Sequence, residues 1–484
     1  MVSCGGFMDQ KVKEAFEFAE QQRIEMVDLK FCDLFGRWHH ITIPVSQFDE
    51  SVFTQGVAFD GSSVPGFKKL EAGDMVLIPD VDTMLIDKFW NQKTLSFICS
   101  AYEADTLELF NNDPRNVACR AEQFLKQSGI ADESLWSPEF EFYIFDNITY
   151  INDINLACYQ IDSEEADWNT GADEKQNLGH KIPRQGGYHA IPPLDNLYNL
   201  RAKMVQYIED CGIPVRYHHH EVGGPGQSEI EIHHHPLLKT GDVTMTIKYI
   251  IRMAAVENNK TVTFMPKPLY NEAGSGMHIH IQLRKDNENL FFDENGYAGL
   301  SQLAMYFIGG VLKHGPALLA FTNPSTISYK RLVPGFEAPV KTIFGLANRS
   351  AAIRIPKYAN TSETKRFEFR PPDATCNIYL AISALLMAGI DGIRKKIDPA
   401  KERFGPYDIN IFHVPRSELE KIKSLPTSLK EALDALALDY EFLLEGEIFS
   451  EQLIESWIDH KLNKEFNEVR SRPHPYEISL YYDV

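Results

Sequence analysis

SPEFEFYIF, residues 137–145, is the stretch that decides the fold. Its two glutamates, Glu139 and Glu141, lie two positions apart in an aromatic run that favours a β-strand. Because side chains alternate along a strand, both carboxylates project from one face, while Phe140 and Phe142 project from the other. Carboxylates are rarely buried without partners, so this face either contacts water or holds cations. One such pair leaves both interpretations open, and an exposed strand is the commoner one.

Composition limits the class of protein. The chain has 484 residues, 44% of them hydrophobic and 11% aromatic, which is enough for a large core and more than one compact domain usually holds. The formal net charge of −20 argues against a general nucleic-acid surface or an anionic membrane as partner. An anionic substrate therefore needs metal ions or a local group of arginines that reverses this charge. We expect two domains, no nucleic acid and no membrane.

Cysteine usage and the N-terminus predict the compartment. The seven cysteines are odd in number and form no CxxC motif, which fits free thiols in a reducing environment. No uninterrupted apolar run reaches membrane-spanning length, and the N-terminal residues lack a basic segment followed by an apolar one. These features predict a cytoplasmic protein.

The first part of the chain predicts a small β-rich domain over residues 1–112. Apolar residues at helical spacing favour a helix at 11–21, and alternating runs favour strands at 25–31, 38–45, 75–78 and 95–100. Asp113 followed by Pro114 fits the N-cap and the first position of a helix. We place the boundary there and predict a second, larger domain over residues 113–484.

The second domain is predicted to mix strands with helices. Helical spacing is found at 197–210, 244–257, 306–319 and 378–395, and strand-like runs at 137–145, 215–232, 261–265 and 276–283. The polar stretch 146–187 predicts a long surface loop or lobe. The tail is helical from Ser428, and its apolar residues EISLYY predict a closing strand.

Four strand-like segments carry charged or polar residues at alternate positions, as SPEFEFYIF does. The pairs are Glu139/Glu141, Glu229/Glu231, His278/His280 and Glu368/Arg370. Glu221 adds a carboxylate directly after three histidines. Each pair alone is more often an exposed strand edge, but the four together indicate one sheet face built as a site. Carboxylates with few histidines suit Mg²⁺ or Mn²⁺ better than zinc.

Arginines are concentrated in one region of this acidic chain. Residues 331–370 include Arg331, Arg349, Arg354, Arg366 and Arg370. Guanidinium groups bind carboxylates and phosphates through paired hydrogen bonds. Divalent cations beside several arginines indicate phosphoryl transfer or a phosphorylated intermediate. The chain has no GxxxxGK(S/T) motif, so it is not a P-loop enzyme.

The motifs, taken in order, resemble those of type I, bacterial-type glutamine synthetases along nearly the whole chain. Besides SPEFEFYIF, the matching stretches include FDGSS at 59–63, HHHEVGGPGQSE at 218–229, GSGMHIH at 274–280, NRSAAIRIP at 348–356, FEFRPPDAT at 367–375 and RPHPYEISLYY at 472–482. The resemblance implies an α+β fold, with a small N-terminal β-grasp-like domain and a large C-terminal α/β catalytic domain built on a curved antiparallel sheet. It also implies a homo-oligomer, a dodecamer of two stacked hexamers with active sites shared between subunits.

The resemblance implies an ATP-dependent glutamate–ammonia ligase of nitrogen assimilation. Glutamine forms through γ-glutamyl phosphate, and ADP and phosphate are released. Two or more Mg²⁺ or Mn²⁺ ions per active site are implied, with ATP as co-substrate. The ion near glutamate and ammonia is matched to Glu141, Glu221 and Glu229. The ion near the ATP phosphates is matched to Glu139, His278 and Glu368.

Substrate contacts are carried over by the same resemblance. Arg331 and Arg370 match arginines that bind glutamate, and Gly274 lies on a glycine-rich loop whose backbone approaches it. Arg349 matches a catalytic arginine that serves the phosphoryl group and both substrates. The remaining ATP contacts are matched to His280, Gln282, Arg354 and Arg366.

The ammonium pocket is matched to residues from two parts of the chain. Asp60, contributed by a neighbouring subunit, matches the base that deprotonates ammonium, and Ser63 lies beside it. Such a base is required because only ammonia has a lone pair for attack. Tyr188 and Glu337 match the other pocket residues, and Glu337 belongs to a loop that shields the intermediate from water.

Some positions depart from the better-known bacterial pattern. Ala273 stands where an asparagine often contacts glutamate, and Glu363 stands where a nucleotide-binding lysine is often found. His234 and Gln282 stand where an aromatic residue and a serine often touch the nucleotide. We therefore expect an altered adenine pocket.

The regulatory segment differs most. Family members controlled by adenylylation carry a tyrosine where this chain has Phe412, which has no hydroxyl. We predict no adenylylation there, with Tyr407 only a weak candidate for a shifted site. Mass spectrometry of the peptide containing Phe412, from cells grown on abundant nitrogen, should find no AMP adduct; finding one would overturn this prediction.

Two other functions are open to a chain with this pattern. One is ligation of glutamate to a larger amine such as a polyamine, against which Asp60, Ser63, Tyr188 and Glu337 argue because a charged, closed pocket suits ammonium. The other is a non-catalytic relative acting as a structural or regulatory oligomer. Loss of metal ligands would mark that case, and all six matched ligands are present.

Overall fold

The structure is a computed structural model that describes residues 5–170, 178–335, 338–409, 411, 417 and 422–484. Its contacts divide the chain into two compact units. The first comprises the chain up to Arg120 together with Glu447–Trp457, and the second comprises Ala121–Gly446 and Ile458–Val484. The predicted domain boundary between residues 112 and 113 stays a prediction.

The first unit contains a mixed sheet with helices packed on it. The helices are α1 (Gly5–Gln21) and α2 (Glu50–Thr54). The strands are β1 (Met26–Cys32), β2 (Trp38–Pro44), β3 (Val57–Asp60), β4 (Asp74–Asp87) and β5 (Thr94–Glu103), in the order β2-β1-β5-β4-β3. The β1–β5 pair is parallel and the other pairs are antiparallel. Tilted and edge-to-face rings, including Phe16, Phe48, Phe53 and Phe97, fill the core between α1, α2 and the sheet.

Helix α3 (Pro114–Ser128) begins as the sequence predicts. The Asp113 carboxylate accepts hydrogen bonds from the backbone N–H of Arg115 at 2.9 Å and of Ala101 at 2.8 Å. It therefore satisfies one of the unpaired N–H groups of the first helical turn. Burial raises the pKa of Asp113 to about 6.

A ten-stranded sheet organises the second unit. Its strands are β6 (Glu133–Phe145), β9 (Val215–His220), β10 (Gln227–Ile232), β11 (His235–Pro236), β12 (Thr261–Thr263), β13 (Ile279–Lys285), β14 (Glu288–Asn289), β15 (Phe344–Leu346), β16 (Ile353–Ile355) and β17 (Phe367–Phe369). The main path runs β15-β16-β17-β13-β6-β10-β9, and SPEFEFYIF forms most of the central strand β6. All pairs are antiparallel except β15–β16, which is parallel. The remaining strands, β7 (Asn147–Asn152) and β8 (Ala157–Asp162), form a separate hairpin.

Apolar helices complete the core of the second unit. They are α4 (Tyr198–Asp210), α5 (Leu237–Glu257), α6 (Gln302–Lys313), α7 (Gly315–Thr322), α8 (Ser328–Arg331) and α9 (Ile378–Lys395). Further helices are Leu429–Leu438, Glu441–Leu444, Glu451–His460, Asn467–Arg470 and Pro475–Tyr481, with a π-helical turn at Lys461–Phe466. Glycines let α6 and α9 approach closely: a Cβ on Gly310 would lie 2.1 Å from the backbone oxygen of Ala388.

Four sequence expectations in the second unit were wrong in detail. The stretch 146–187 is not only loop, because it contains the β7–β8 hairpin. Helix α5 begins at Leu237, seven residues before the expected start at 244. The expected helix 306–319 is two helices that meet at His314. The tail ends in the helix Pro475–Tyr481 and not in a strand, because Pro475 and a capping box between His474 and Glu477 start a helix there.

Within the described ranges, no single helix is both long enough and apolar enough to cross a membrane. The pair α6 and α7 meets both criteria together, by length and composition alone, across a bend of 73°. Most residues of both helices are buried inside the second unit.

His314, at the junction of α6 and α7, is a buried charged link. Its Nε2 lies 2.9 Å from Asp391 Oδ2, its Nδ1 lies 2.9 Å from Asp439 Oδ2, and its ring stacks on Phe442. Burial lowers the pKa of His314, but the two aspartates outweigh it and raise the pKa above its usual 6.5. Below this raised pKa the ring is protonated, and it joins the helix junction to α9 and to the segment after Leu438 through both aspartates.

Replacing His314 by glutamine should destabilise the protein most in acid. A raised folded-state pKa contributes stability that is fully present below pH 6.5 and is lost as the pH rises through the folded-state value. We expect a loss of about 2 kcal/mol at pH 6 and a smaller loss at pH 9. Denaturant unfolding at both pH values measures this. Asp434→Asn, which neutralises an exposed carboxylate, is the control; an H314Q loss that does not depend on pH would contradict the account.

Candidate functional site

Four carboxylates form a square on one face of the central sheet. The antiparallel register of β6 and β10 places Glu139 opposite Glu231 and Glu141 opposite Glu229. Because alternate residues share a face, these four side chains project together, away from the buried Phe140, Phe142 and Ile230. The neighbouring strand β10 thus adds two carboxylates to the two that SPEFEFYIF alone predicts on this face.

Two histidines contact the first of these carboxylates. His278 Nδ1 lies 2.7 Å from Glu139 Oε2, and His280 Nε2 lies 2.8 Å from Glu139 Oε1. Burial opposes ionisation of Glu139, but these two hydrogen bonds outweigh it and hold its pKa well below the usual value. Arg366 Nε donates to His280 Nδ1 at 3.3 Å, on the side of the ring opposite Glu139.

Groups of possible metal ligands gather on this face. In each group, one ligand atom per residue lies within 4.8 Å of the others. The groups are Glu139, His278 and Glu368; Glu139, Glu141 and Glu229; His219, Glu221 and Glu229; and Glu139, Glu231 and His280. The set matched by resemblance to the ion near the ATP phosphates forms one of these groups. The set matched to the ion near glutamate and ammonia is divided between two groups that share Glu229.

Crowded carboxylates leave this face short of positive charge. Burial raises the pKa of Glu221 and of Glu229 well above the usual value, and neighbouring carboxylates, Glu141 among them, raise both further. Among the described residues, the buried Oε2 atom of Glu221 has no hydrogen-bond partner. Oxygen donors at this spacing fit a hard divalent cation, which would relieve the repulsion and supply the missing partner.

Arginines approach the same face from β16, from the end of α8 and from the residue after β17. Arg354 NH1 donates to Glu368 Oε2 at 2.6 Å, and Arg370 NH1 donates to Glu368 Oε1. Burial alone would raise the pKa of Glu368, but Arg370 and the nearby histidines lower it to about 2. The buried guanidinium of Arg331 donates to the backbone oxygen of Pro371 at 2.7 Å and lies 3.3 Å from His278 Nε2.

These side chains surround one open cleft of about 630 Å³. Of the residues matched by resemblance, its lining includes Glu139, Glu141, Tyr188, Glu221, Glu229, Gly274, His278, Arg331, Arg349, Arg354, Glu368 and Arg370. His280, Gln282 and Arg366 are buried and do not line it. Glu337 and Phe412 lie outside the described residues. The sequence therefore identified most of this lining before the fold was known.

Asp60 and Ser63 belong to the first unit and are described there by themselves. Asp60 ends β3 and is exposed. Its carboxylate accepts hydrogen bonds from the Ser62 backbone N–H at 2.8 Å, from the Ser62 hydroxyl at 2.6 Å and from the Ser63 hydroxyl at 2.6 Å. The two hydroxyls are the main reason why the pKa of Asp60 is lowered. The side chain is an ionised carboxylate fixed by its own turn.

Comparison with known proteins decides the family. The model "Glutamine synthetase, catalytic domain" matches residues 111–481, and the model "Glutamine synthetase, beta-Grasp domain" matches residues 23–104. The chain belongs to the glutamine synthetase family. The glutamine synthetase of Frankia alni is 48% identical over 475 residues, covering 98% of this chain and 99% of its own. That of Aquifex aeolicus is 48% identical over 472 residues, covering 98% and 99%.

A solved structure agrees with this assignment. The chain is similar to the cryo-electron microscopy structure of Plasmodium falciparum glutamine synthetase, with a TM-score of 0.88 at 28% identity, covering 97% of this chain and 98% of that one. The predicted fold class, a β-grasp domain followed by a glutamine synthetase catalytic domain, is confirmed by the family models. The glutamine synthetase family uses divalent metal ions, which agrees with the ligand groups on the sheet face.

Three of the residues that depart from the common glutamine synthetase pattern make hydrogen bonds or ion pairs with neighbouring residues. The backbone oxygen of Ala273 accepts a hydrogen bond from the Tyr143 hydroxyl at 2.6 Å, so the loop is anchored without the asparagine side chain. Glu363 is exposed and pairs with Arg284 at 2.9 Å. Gln282 accepts from Asn289 Nδ2 at 3.0 Å.

Sequence reasoning missed some residues of the glutamine synthetase cleft. His219 forms one of the possible metal-ligand groups with Glu221 and Glu229. The run of three histidines marks this position in the sequence, but no role was predicted for it. Glu231, which the EIE pattern already predicts on the carboxylate face, completes the square but does not line the cleft. Arg216 and Tyr358 also line the cleft, although nothing in their sequence surroundings distinguishes them from surface residues.

Proposed function

We propose that this cleft joins L-glutamate and ammonia into L-glutamine while ATP is converted to ADP and phosphate. The observation that carries the proposal is the sheet face itself, where a buried carboxylate–histidine cluster adjoins the arginines of residues 331–370 in one cleft. A triphosphate and a γ-carboxylate repel each other, so their approach requires concentrated positive charge. Full-length similarity to glutamine synthetases supports the same reaction.

The carboxylate groups are proposed to hold Mg²⁺ or Mn²⁺. Glu141, Glu221 and Glu229 would hold one ion, and Glu139, His278 and Glu368 would hold the other. When bound, such ions neutralise phosphate charge and polarise the oxygens that are transferred. Hydrogen bonds from Arg354 and Arg370 to Glu368 keep that carboxylate ionised and oriented as a ligand.

The first chemical step is phosphorylation of glutamate. A γ-carboxylate oxygen forms a bond to the terminal phosphorus of ATP while the bond from that phosphorus to ADP breaks. We assign Arg331, Arg370 and the backbone at Gly274 to glutamate, and Arg349 and Arg354 to the phosphoryl group. His280, Gln282 and Arg366 belong to the nucleotide side, where their burial suits them to fix the positions of residues that touch ATP.

The second step is amide formation. Asp60 of a neighbouring subunit, with Ser63 beside it, would take a proton from ammonium in a pocket completed by Tyr188 and Glu337. The ammonia nitrogen then attacks the acyl carbon, the bond from that carbon to the phosphorylated oxygen breaks, and phosphate leaves with the former carboxylate oxygen and the proton that the nitrogen loses. This assignment requires subunits arranged around shared sites, which we propose to be a dodecamer of two stacked hexamers in the cytoplasm.

The choice of amine is the test of this function. Purified protein with ATP, Mg²⁺ and glutamate should release phosphate when ammonium is added, and much less when putrescine or ethanolamine replaces it. Omitting glutamate should abolish the release. Preference for a larger amine would reassign the chain to a glutamate–polyamine type of ligase, and release without glutamate would indicate an ATPase.

A further inference from the structure

Glu165 and His220 form a buried pair to which the proposed reaction gives no role. Both residues are fully buried, and His220 Nε2 lies 3.1 Å from Glu165 Oε2. The β9–β10 register pairs His219 with Glu229 and His220 with Ser228, so His220 projects from the sheet face opposite the carboxylates. Burying two ionisable groups is unfavourable unless they meet in good geometry, and removing either one leaves the other without this partner.

The second ring nitrogen of His220 fixes the backbone of the next residue, Glu221. His220 Nδ1 lies 2.7 Å from the Glu221 backbone oxygen, and because a carbonyl oxygen can only accept, Nδ1 is the donor. The Glu221 N–H donates to the backbone oxygen of Gln227 at 2.9 Å. The backbone on both sides of the Glu221 side chain is therefore held, which restricts the positions that its carboxylate can reach.

The same histidine supports the loop that carries Tyr188. The backbone N–H of His189 donates to the backbone oxygen of His220 at 3.0 Å. On the other side of Tyr188, a Cβ added to Gly187 would lie 2.5 Å from the His220 ring, so the loop backbone packs directly on that ring. Tyr188 itself is exposed and lines the cleft. The position of this exposed side chain therefore depends on the backbone that rests on His220.

Glu165 ties the ring of His220 to both ends of this loop. Its Oε1 accepts from the backbone N–H of Asn196 at 2.7 Å, and its own backbone oxygen accepts from the N–H of Ile182 at 3.1 Å. The first contact lies after Tyr188 in the chain and the second lies before it. Glu165 thus orients the ring through Oε2 and holds the flanking backbone at the same time.

We propose that Glu165 and His220 are positioning residues that set the distance between Tyr188 and Glu221 on the ammonium side of the cleft. The inference rests on the proposed function, which assigns Tyr188 to the ammonium pocket and Glu221 to the ion near glutamate. A single imidazole links the two, because it contacts the Tyr188 loop and the Glu221 carbonyl. Partners that orient metal ligands from behind typically change metal affinity or activity by roughly 10- to 100-fold when they are removed.

Replacing Glu165 by glutamine tests this link with little change in side-chain volume. Since the variant lacks the carboxylate that orients His220, we expect KM for ammonium to rise about 10-fold and Mn²⁺ binding at the Glu221 site to weaken by about the same factor. KM for ATP should be unchanged. The matched control is Glu164→Gln, because the neighbouring Glu164 carboxylate is partly exposed and pairs with Lys260 at 2.9 Å. This control should keep the wild-type values of all three quantities.

Two further variants separate positioning from a loss of stability. Gly187→Ala presses a methyl group against His220 from the loop side, so it should also raise KM for ammonium while Glu165 stays in place. In a Tyr188→Ala background, Glu165→Gln should change KM for ammonium much less than in the wild type, because an effect transmitted through Tyr188 is lost with that side chain. Thermal unfolding shows which variants are folded, and Gly187→Ala decides if Glu165→Gln is not.

The outcomes distinguish this inference from the proposed function. A folded Glu165→Gln protein with wild-type KM for ammonium and wild-type Mn²⁺ binding would overturn the inference, since the pair would then be only structural. Equal rises in KM for ammonium and for ATP would also overturn it, because they indicate general distortion of the cleft. If the wild type releases no phosphate with glutamate and ammonium, the proposed function fails, while the Mn²⁺ titration still tests the link from Glu165 to Glu221.

Discussion

Replacing Glu139 by glutamine should lower glutamine formation by roughly 1,000-fold, the largest effect expected of a single substitution in this cleft. Glu139 belongs to three of the four ligand groups on the sheet face and accepts hydrogen bonds from both His278 and His280. Glutamine keeps the size of the side chain but removes the negative charge, so it weakens cation binding and leaves two histidines with a poorer acceptor. Loss of metal-assisted charge neutralisation is worth several kcal/mol in such reactions.

A metal titration separates the two ions. Mn²⁺ binding, followed by paramagnetic resonance of the free ion, should show that Glu139→Gln weakens the site shared with His278 and Glu368 most. Glu141→Gln should weaken mainly the site that includes Glu229. Glu133→Gln, at the far end of the same strand β6, is the matched control and should leave both sites intact. Equal weakening of both sites by each cleft variant would show that the strand does not separate two ions as proposed.

Replacing Asp60 by alanine should lower kcat/KM for ammonium by about 100-fold or more while leaving ADP affinity unchanged. Removal of a general base typically has an effect of this size. The measurements are initial rates at varied ammonium and calorimetric ADP binding. Asp49→Ala is a close control, because the Asp49 carboxylate accepts from the Ser51 backbone and hydroxyl just as Asp60 accepts from Ser62. Equal loss of ammonium use and ADP binding would mean that Asp60 has another role.

The pH dependence of this step follows from the turn around Asp60. Hydrogen bonds from Ser62 and Ser63 lower its pKa, so the carboxylate stays ionised, and able to accept a proton, well into the acid range. Ser63→Ala removes one of these bonds and should shift the acid limb of the ammonium-dependent rate to higher pH. A profile unchanged by Ser63→Ala would argue that this carboxylate does not control the acid limb.

Strand β6 shows why much of the site could be predicted from sequence. Alternation in SPEFEFYIF fixed the common face of Glu139 and Glu141 without knowledge of the fold, and the same rule applied to EIE in β10. The pairing of these strands, which brings Glu231 opposite Glu139, is a long-range contact that no local pattern contains. The order of motifs along the chain supplied that information only through resemblance to a family.

The errors also have physical causes. The break between α6 and α7 was marked by Gly315 and Pro316, but the continuous apolar pattern on either side hid it. The β7–β8 hairpin is exposed along most of both strands, so the alternation that reveals half-buried strands is missing. Arg216 could not be recognised because a β-bulge, and not its sequence neighbours, directs it to Glu231.

The most direct test of the central claim follows an oxygen atom. Glutamate labelled with ¹⁸O in its γ-carboxylate is incubated with ATP, Mg²⁺ and ammonium, and the released phosphate is analysed by mass spectrometry. Because the γ-carboxylate oxygen that attacks ATP leaves with phosphate, the account predicts one ¹⁸O in each phosphate released and one retained in glutamine. Unlabelled phosphate, with both labels remaining in glutamate, would show that ATP is hydrolysed by water and would contradict ligation through γ-glutamyl phosphate.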